Sequence, residues 1–219
     1  MNELIGQALF LNECEFAVLM GAGGCRTFTG FRLSKNSLEN EGRFEGINSL
    51  IKRKILKNKA ESYVIADEYA DMLHCLIRPS RAYNVSDGKA MIYCADNTVF
   101  VRSVNSEPAR FSICRADHRM LAQTFADYCM LPESDESAFM AEHLPAPGNA
   151  EEFAQRNDKL IMISGVETAE LLAVMRVGLC MALITACGGA FGYEVYSRKR
   201  FETKLEELLE GRLTVNDNH

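Results

Sequence analysis

The sequence has none of the residue spacings that hold a structural metal ion. No CxxC or HxxxH pair occurs among its eight cysteines and four histidines, and tetrahedral zinc sites depend on such spacings. The nearest approach is the adjacent pair His74 and Cys75. Neighbouring side chains on a helix point about 100° apart, so these two cannot face one ion together. We therefore expect no metal site, and nothing in the sequence indicates a cofactor.

An excess of positive charge is also missing. The 219 residues include 24 lysines and arginines against 30 aspartates and glutamates, which gives a formal net charge of -6. Binding nucleic acid over a large surface requires clustered cations, so this balance argues against it. One basic run, Lys52, Arg53, Lys54 and Lys57, follows two predicted helices as in a winged-helix unit. The run supports an alternative hypothesis, a DNA-binding regulator, although nearby acidic residues dilute its charge.

No stretch is long and apolar enough to predict a transmembrane helix. The segment between Arg176 and Glu194 has no charged residue, but it contains four glycines and is shorter than the about 20 apolar residues that a span requires. The adjacent Gly188 and Gly189 predict a hairpin turn, because glycine adopts positive φ at little cost. The N-terminus has no positive region before its apolar stretch, so no signal peptide is predicted. We expect a cytoplasmic protein without membrane association.

The cysteines do not form a disulfide pattern. They are spread from Cys14 to Cys187 in a chain that is 47% hydrophobic, whereas disulfide-rich secreted domains are short and poor in core residues. We expect reduced thiols that pack as small hydrophobic side chains. A cysteine activated by a histidine would make the chain an enzyme, but no spacing indicates such a pair. An enzyme is therefore the third hypothesis, and the main expectation is a protein without catalytic residues.

What the sequence does contain is a succession of four strand-like stretches and one helix that occurs twice. Four strand-like stretches fill residues 80–115 and again 158–198, and an amphipathic helix follows each set. A repeated order of patterns indicates a structural unit. We predict an α+β fold in which N-terminal helices precede two quasi-repeated, pseudo-twofold units, each a four-stranded antiparallel sheet with one helix. The predicted parts of one compact domain are a helical region packing on the first sheet at 1–79, a first unit at 80–131, a linker at 132–150 and a second unit at 151–219.

The first eighty residues predict helices. Asn12 and Glu15 have the spacing of a capping box, which starts the first helix. A third helix begins near Asp67, whose carboxylate is expected to cap it. Between them, a second amphipathic helix is predicted from apolar residues that fall on one face, namely Phe44, Ile47, Ile51 and Ile55.

The helices that follow the two sets of strands also show an apolar stripe at helical spacing. We expect each helix to pack on the open face of its sheet. The stripe of the first consists of Met120, Leu121, Phe125 and Tyr128, and that of the second consists of Phe201, Leu205, Leu208 and Leu209.

Two segments resemble a known family. Residues 76–79, with the sequence LIRP, end a predicted helix at an Arg-Pro step and lead into the first strands, and residues 51–73, IKRKILKNKAESYVIADEYADML, combine a helix, a basic turn and a second helix. With the two sheet units, this arrangement resembles the EspG family of type VII secretion chaperones. The chain is shorter than the actinobacterial members and richer in cysteine and methionine, as in a distant relative from a Gram-positive bacterium.

The resemblance implies a function and a set of contact residues. Members of that family bind the tips of helical-hairpin secretion substrates in the cytosol and use no cofactor. The leading hypothesis is accordingly a cytosolic, non-enzymatic chaperone or adaptor of a type VII (ESX-like) system, with a protein as its partner and with homodimer formation left open. The family's binding loop corresponds here to the shorter turn at Asp96 and Asn97, and its C-terminal helical contacts correspond to Phe201, Leu205 and Leu208.

Overall fold

The computed structural model describes residues 8–22, 31–86, 88, 90–104, 110–133, 148, 150–156, 158–178 and 180–215. Helices and antiparallel strands alternate along these residues. In chain order the elements are β1 (Leu9–Asn12), α1 (Glu13–Ala22), α2 (Lys35–Leu38), α3 (Asn40–Lys52), β2 (Leu56–Lys59), β3 (Ser62–Ile65), α4 (Asp67–Ile77), β4 (Arg81–Val85), β5 (Ala90–Cys94), β6 (Thr98–Val104), β7 (Arg110–Arg115), α5 (His118–Tyr128), α6 (Ala150–Gln155), β8 (Lys159–Gly165), β9 (Leu171–Val177), β10 (Cys180–Cys187), β11 (Ala190–Val195) and α7 (Arg198–Leu209).

The chain divides into two compact units. Over the described residues, unit 1 spans Met1–Ala82 and Asp87–Ala116, and unit 2 spans Tyr83–Ser86 and Asp117–His219. The expectation of a mixed α+β protein with extensive antiparallel sheet is confirmed. The predicted linker falls mostly on 134–147, which lie outside the described residues.

Unit 1 contains an antiparallel sheet in the order β1-β7-β6-β5. Leu9 pairs with Ile113 and Leu11 with Phe111 across the first two strands. The sequence did not predict β1, because its four residues are too few to show a strand period. On this sheet the ring of Phe16 from α1 stacks on Phe111 with centroids 4.3 Å apart. This aromatic contact fixes the first helix against the sheet.

Unit 2 contains an antiparallel sheet in the order β4-β8-β9-β10-β11, to which β4 contributes from Tyr83 onward. Gly188 and Gly189, with φ of 59° and 88°, form the two-residue turn between β10 and β11, and Cys187 pairs with Ala190 beside it. The predicted hairpin is therefore confirmed. None of the described helices has both the length and the apolar character needed to cross a membrane.

The two predicted sheet-helix units are not confirmed as equivalent repeats. The order of four strands and a helix does occur twice, and neighbouring strands pair within each set: β6 pairs with β5 and β7, and β8, β9, β10 and β11 pair in succession. The two sets are not equivalent, because the unpredicted β1 pairs with β7, and Tyr83–Val85 of β4, which was assigned to the first set, pairs with β8 of the second. Helix α5 packs on α7 within unit 2. Pairing depends on contacts between distant residues, which a local pattern does not contain.

Candidate interaction surfaces

An ionic network around the buried carboxylate of Glu15 fixes the start of α1 and the end of α3 in unit 1. The predicted capping box is present: Glu15 N donates to Asn12 Oδ1 and Asn12 N donates to Glu15 Oε2, both at 2.9 Å. Glu15 is only 1% exposed. Its carboxylate also accepts from Ser49 Oγ at 2.7 Å and from Arg53 Nη1 at 2.6 Å. Arg53 Nη2 donates in turn to the carbonyl of Phe10 at 2.7 Å, so the network joins β1, α1 and α3.

Helix α3 packs on its neighbours through glycines. Its buried residues are Gly42, Gly46 and Leu50. A Cβ atom at Gly46 would lie 2.5 Å from the carbonyl oxygen of Cys14, and one at Gly42 would overlap the carbonyl oxygen of Asn36. Only glycine therefore permits this close approach of α3 to α1 and α2.

The apolar face predicted for α3 is not the face that is buried. Phe44 is 69% exposed, and Ile47 and Ile51 are half-buried. Ile55 is buried, but it lies after the helix has ended. Phe44, Ile47 and Ile51 thus form an outer stripe on α3. The prediction was wrong about the buried face. Hydrophobic periodicity is read from the positions of large apolar residues, so it does not identify a packing surface that is made of glycines.

A groove with an apolar lining lies beside this helix in unit 1. Its volume is about 1080 Å³, and its lining comes from α1, α2, α3, the β2–β3 hairpin and α4. Ile47 of the outer stripe lines it together with small residues of α1 such as Ala17 and Ala22. Leu38, Tyr63 and Val64 are exposed at the groove. Exposed apolar groups in a concave surface are typical of a binding site for another chain.

The basic residues of the DNA-binding alternative lie in and after α3. Lys52, Lys54 and Lys57 are exposed, and Lys57 Nζ lies 4.0 Å from Asp67 Oδ2. Arg53 belongs to the buried network with Glu15. A β-hairpin follows them at β2 and β3, where the sequence predicted only helix and turn. Asp67 begins α4 but makes no side-chain cap, because Ala66 holds the capping position.

The turn at Asp96 and Asn97 is exposed in unit 1 and connects β5 to β6. The N–H of Ala95 donates to the carbonyl of Asn97 at 2.9 Å. Beneath the turn, Cys75 Sγ of α4 donates to the same carbonyl at 3.1 Å. These bonds hold a short, well-defined turn rather than an extended loop.

The predicted contacts of α7 are core residues. Phe201, Leu205 and Leu208 are each fully buried in unit 2. The helix begins after Ser197, whose hydroxyl accepts from the N–H of Arg200. Because the apolar stripe is turned inward, only the opposite face of the helix is open to a partner in this structure, with Lys199, Arg200 and Thr203 exposed.

Two exposed apolar side chains in unit 2 were not predicted. Tyr128 at the end of α5 is 78% exposed and Met130 is 87% exposed. The sequence analysis placed Tyr128 on the buried stripe, but the buried residues of α5 are Leu121, Ala122, Phe125 and Ala126. Small alanines again form part of the packing surface, which shifts the buried face away from Tyr128. Arg198 holds this end of α5 near the start of α7 by donating to Gln123 Oε1 at 3.1 Å and to the carbonyl of Leu131 at 3.3 Å.

The described cysteines are free thiols, and burial opposes the ionisation of several of them. Burial is the first cause that raises the pKa of Cys75 to about 12, and the neighbouring Cys94 adds to it. Burial also raises the pKa of the thiols of Cys94, Cys114 and Cys129. A raised pKa keeps a thiol protonated and weakly nucleophilic at neutral pH. Among the described residues, no group of three or more metal-ligating side chains converges.

No protein-family model and no curated protein sequence matches this chain. A solved structure is similar to it: the Mycobacterium tuberculosis type VII secretion system chaperone EspG5, determined in complex with the PE25-PPE41 dimer. The similarity has a TM-score of 0.53 and covers 96% of this chain and 98% of EspG5. The fold is EspG-like. At 8% sequence identity the similarity concerns the fold alone, and at that level the resemblance found in the sequence is confirmed.

Proposed function

We propose that this protein is a cytosolic, non-enzymatic chaperone that binds the apolar tip of a helical-hairpin substrate of a type VII (ESX-like) secretion system. The observation that carries the proposal is the EspG-like fold, which extends over nearly the full length of both chains. EspG5 is a chaperone of such a system and was determined with a protein dimer bound. We also propose that the protein comes from a Gram-positive bacterium and that the two halves of its chain are quasi-repeats of one sheet-helix unit.

The contact with the substrate is proposed at exposed residues of unit 2. Tyr128 and Met130 offer apolar surface at the end of α5, and the exposed side of α7 begins nearby. An aromatic ring supplies a large contact area, and a flexible thioether adapts to different apolar partners. Phe201, Leu205 and Leu208 support this surface from the core. In unit 1, the exposed turn at Asp96 and Asn97 remains the proposed counterpart of the family's binding loop.

The raised pKa of the Cys75, Cys94 and Cys114 thiols supports a role without catalysis. A cysteine nucleophile needs a lowered pKa and a neighbouring base. Burial acts in the opposite direction on Cys75, Cys94 and Cys114. Binding is therefore the function that the described surfaces support best.

Co-expression with the helical-hairpin proteins encoded beside this gene tests the proposal. We expect one of them to co-purify as a stable complex with the wild-type chain. Changing Tyr128→Asp together with Met130→Asp is expected to abolish the complex, because a charge then replaces each exposed apolar contact. Phe44→Asp, which places the same charge on exposed apolar surface of unit 1, is the matched control and is expected to retain it. If no neighbouring protein binds the wild-type chain, the chaperone proposal fails.

A further inference from the structure

Helix α3 carries its largest apolar side chains on the face opposite the one that packs on α1 and α2. With 3.6 residues per turn, Phe44, Ile47 and Ile51 fall within one stripe, nearly opposite Gly42 and Gly46. The glycine face is occupied by α1 and α2, whereas Phe44 at the N-terminal end of the outer stripe is 69% exposed and Ile47 and Ile51 are half-buried. An amphipathic helix normally buries such a stripe. The outer stripe is therefore a surface without its partner among the described residues.

The charges beside the stripe change sign along the helix. Glu41, Glu45 and Lys52 lie on the same flank of the stripe, with the acids toward the N-terminus and the lysine at the C-terminus. All three are exposed. None of the three forms an ion pair with another residue in the part of the chain that the structure describes. The flank is thus acidic at one end and basic at the other.

We propose that the outer stripe of α3 is the contact surface for a second copy of this chain, with the two α3 helices antiparallel across a twofold axis near Ile47. In an antiparallel pair related by a twofold axis, each flank faces the same flank of its copy. Glu41 and Glu45 of one chain then lie beside Lys52 of the other, so the flank is complementary to itself. The apolar residues agree with the same axis, because it brings Phe44 against Ile51 and Ile47 against its own copy.

The apolar surface around the outer stripe comes from more than one residue. A standard interface buries about 800 Å² on each partner. Phe44 and Tyr63 are 69% and 51% exposed, and at roughly 200 Å² for a whole aromatic residue they offer roughly 240 Å², about a third of that area. Leu38 and Val64 extend the apolar area around the groove. The flank of the stripe carries both acidic and basic residues. It therefore favours a second copy with the same charge pattern over a partner whose surface has charges of one sign only.

Sedimentation equilibrium of the full chain over a range of concentrations tests the proposal. We expect the wild-type protein to have twice the mass of one chain at micromolar concentration. Phe44→Asp is expected to reduce the mass to that of one chain, while circular dichroism remains unchanged because the side chain is exposed. Tyr128→Asp, on the exposed surface of unit 2, is the matched control and is expected to leave the dimer intact.

A charge exchange tests the antiparallel arrangement itself. Glu45→Lys and Lys52→Glu are each expected to weaken the dimer about three- to tenfold, since each puts like charges side by side at two symmetric positions. The double variant Glu45→Lys with Lys52→Glu is expected to restore most of the affinity. If each single variant weakens the dimer and the double variant is weaker still, the two residues do not meet and the antiparallel geometry is wrong.

Two results would overturn the self-association proposal: the wild-type chain has the mass of one chain at every concentration, or the dimer survives Phe44→Asp. If Phe44→Asp leaves the dimer intact and also removes a secretion partner, the outer stripe is assigned to that partner. Dimer formation is measured on the protein alone. A negative result for the dimer therefore does not affect the chaperone proposal, and failure to find a secretion partner does not affect the dimer proposal.

Discussion

At the scale of single residues, Glu15 is the position where the fold of unit 1 depends most on one side chain. A carboxylate that is 1% exposed is stable only when its charge and its oxygen atoms are satisfied. Asn12, which ends β1, Ser49 of α3 and Arg53, which caps the C-terminus of α3, supply those partners. The spacing of Asn12 and Glu15 predicted the local part of this network. The contribution of Arg53, 38 positions away from Glu15, was not predictable, because in the sequence Arg53 is one cation in a basic run.

The network makes Arg53→Met a strongly destabilising change. We expect a loss of about 3 kcal/mol in the free energy of unfolding, because removing one partner leaves a buried charge without compensation. Urea denaturation followed by circular dichroism measures the loss. Arg115→Met is the matched control: its pair with Asp71 is at the surface, with side chains 50% and 67% exposed, and is expected to contribute less than about 1 kcal/mol. Equal losses for the two variants would show that the Glu15 network does not stabilise the fold.

At the scale of elements, α3 shows how a correctly predicted helix can be given the wrong buried face. The helix itself was expected from the spacing of Phe44, Ile47 and Ile51. The face that packs is instead built on Gly42 and Gly46, since the absence of a Cβ lets backbones approach closely. Helix α5 shows the same effect, because Ala122 and Ala126 are buried and Tyr128 is exposed. Small residues form part of the packed face in both helices, and the aromatic residues Phe44 and Tyr128 remain exposed.

The close approach of α3 to α1 predicts a large effect of a single methyl group. Gly46→Ala is expected to destabilise the protein by about 1–3 kcal/mol, because the added Cβ would lie 2.5 Å from the Cys14 carbonyl oxygen and force the helices apart. Gly21→Ala is the matched control in α1, where an added Cβ meets nothing within 4 Å. It is expected to be neutral or to stabilise by up to about 1 kcal/mol. Both values come from urea denaturation, and similar results for the two glycines would contradict this account of the packing.

At the scale of the whole molecule, charge separates the chaperone from the DNA-binding alternative. The formal net charge is -6, and one of the four proposed phosphate contacts, Arg53, is already paired with Glu15. The three remaining lysines, Lys52, Lys54 and Lys57, do not compensate for a negative surface, because non-specific DNA binding depends on the number of phosphates neutralised.

We therefore expect no shift of a random DNA duplex by the wild-type protein at physiological salt. An electrophoretic mobility assay across salt concentrations measures this. A salt-dependent shift that disappears when Lys52, Lys54 and Lys57 are changed to Glu would contradict the expectation and favour the regulator. Arg53 is left intact in that variant so that the fold is preserved.

The two proposed surfaces divide the molecule by function. Tyr128 and Met130 in unit 2 are assigned to the secretion partner, and the outer stripe of α3 in unit 1 is assigned to a second copy. The sequence analysis found neither surface as such. It directed attention to Phe201, Leu205 and Leu208, whose spacing identified a real helix but whose side chains are core. Spacing reveals which residues share a face, whereas exposure depends on what packs against that face.

The sequence by itself determined the features that arise between close neighbours in the chain. The two runs of four strands after residue 80, the helix that follows each run, the Gly188-Gly189 turn and the capping box of α1 follow from local spacing and backbone preference, whereas α6 was not predicted. The tertiary structure alone decided the partners: β1 with β7, α5 with α7, and the glycine face of α3 with α1. These choices depend on how closely distant segments can approach, which is a property of the packed chain and not of any short stretch of it.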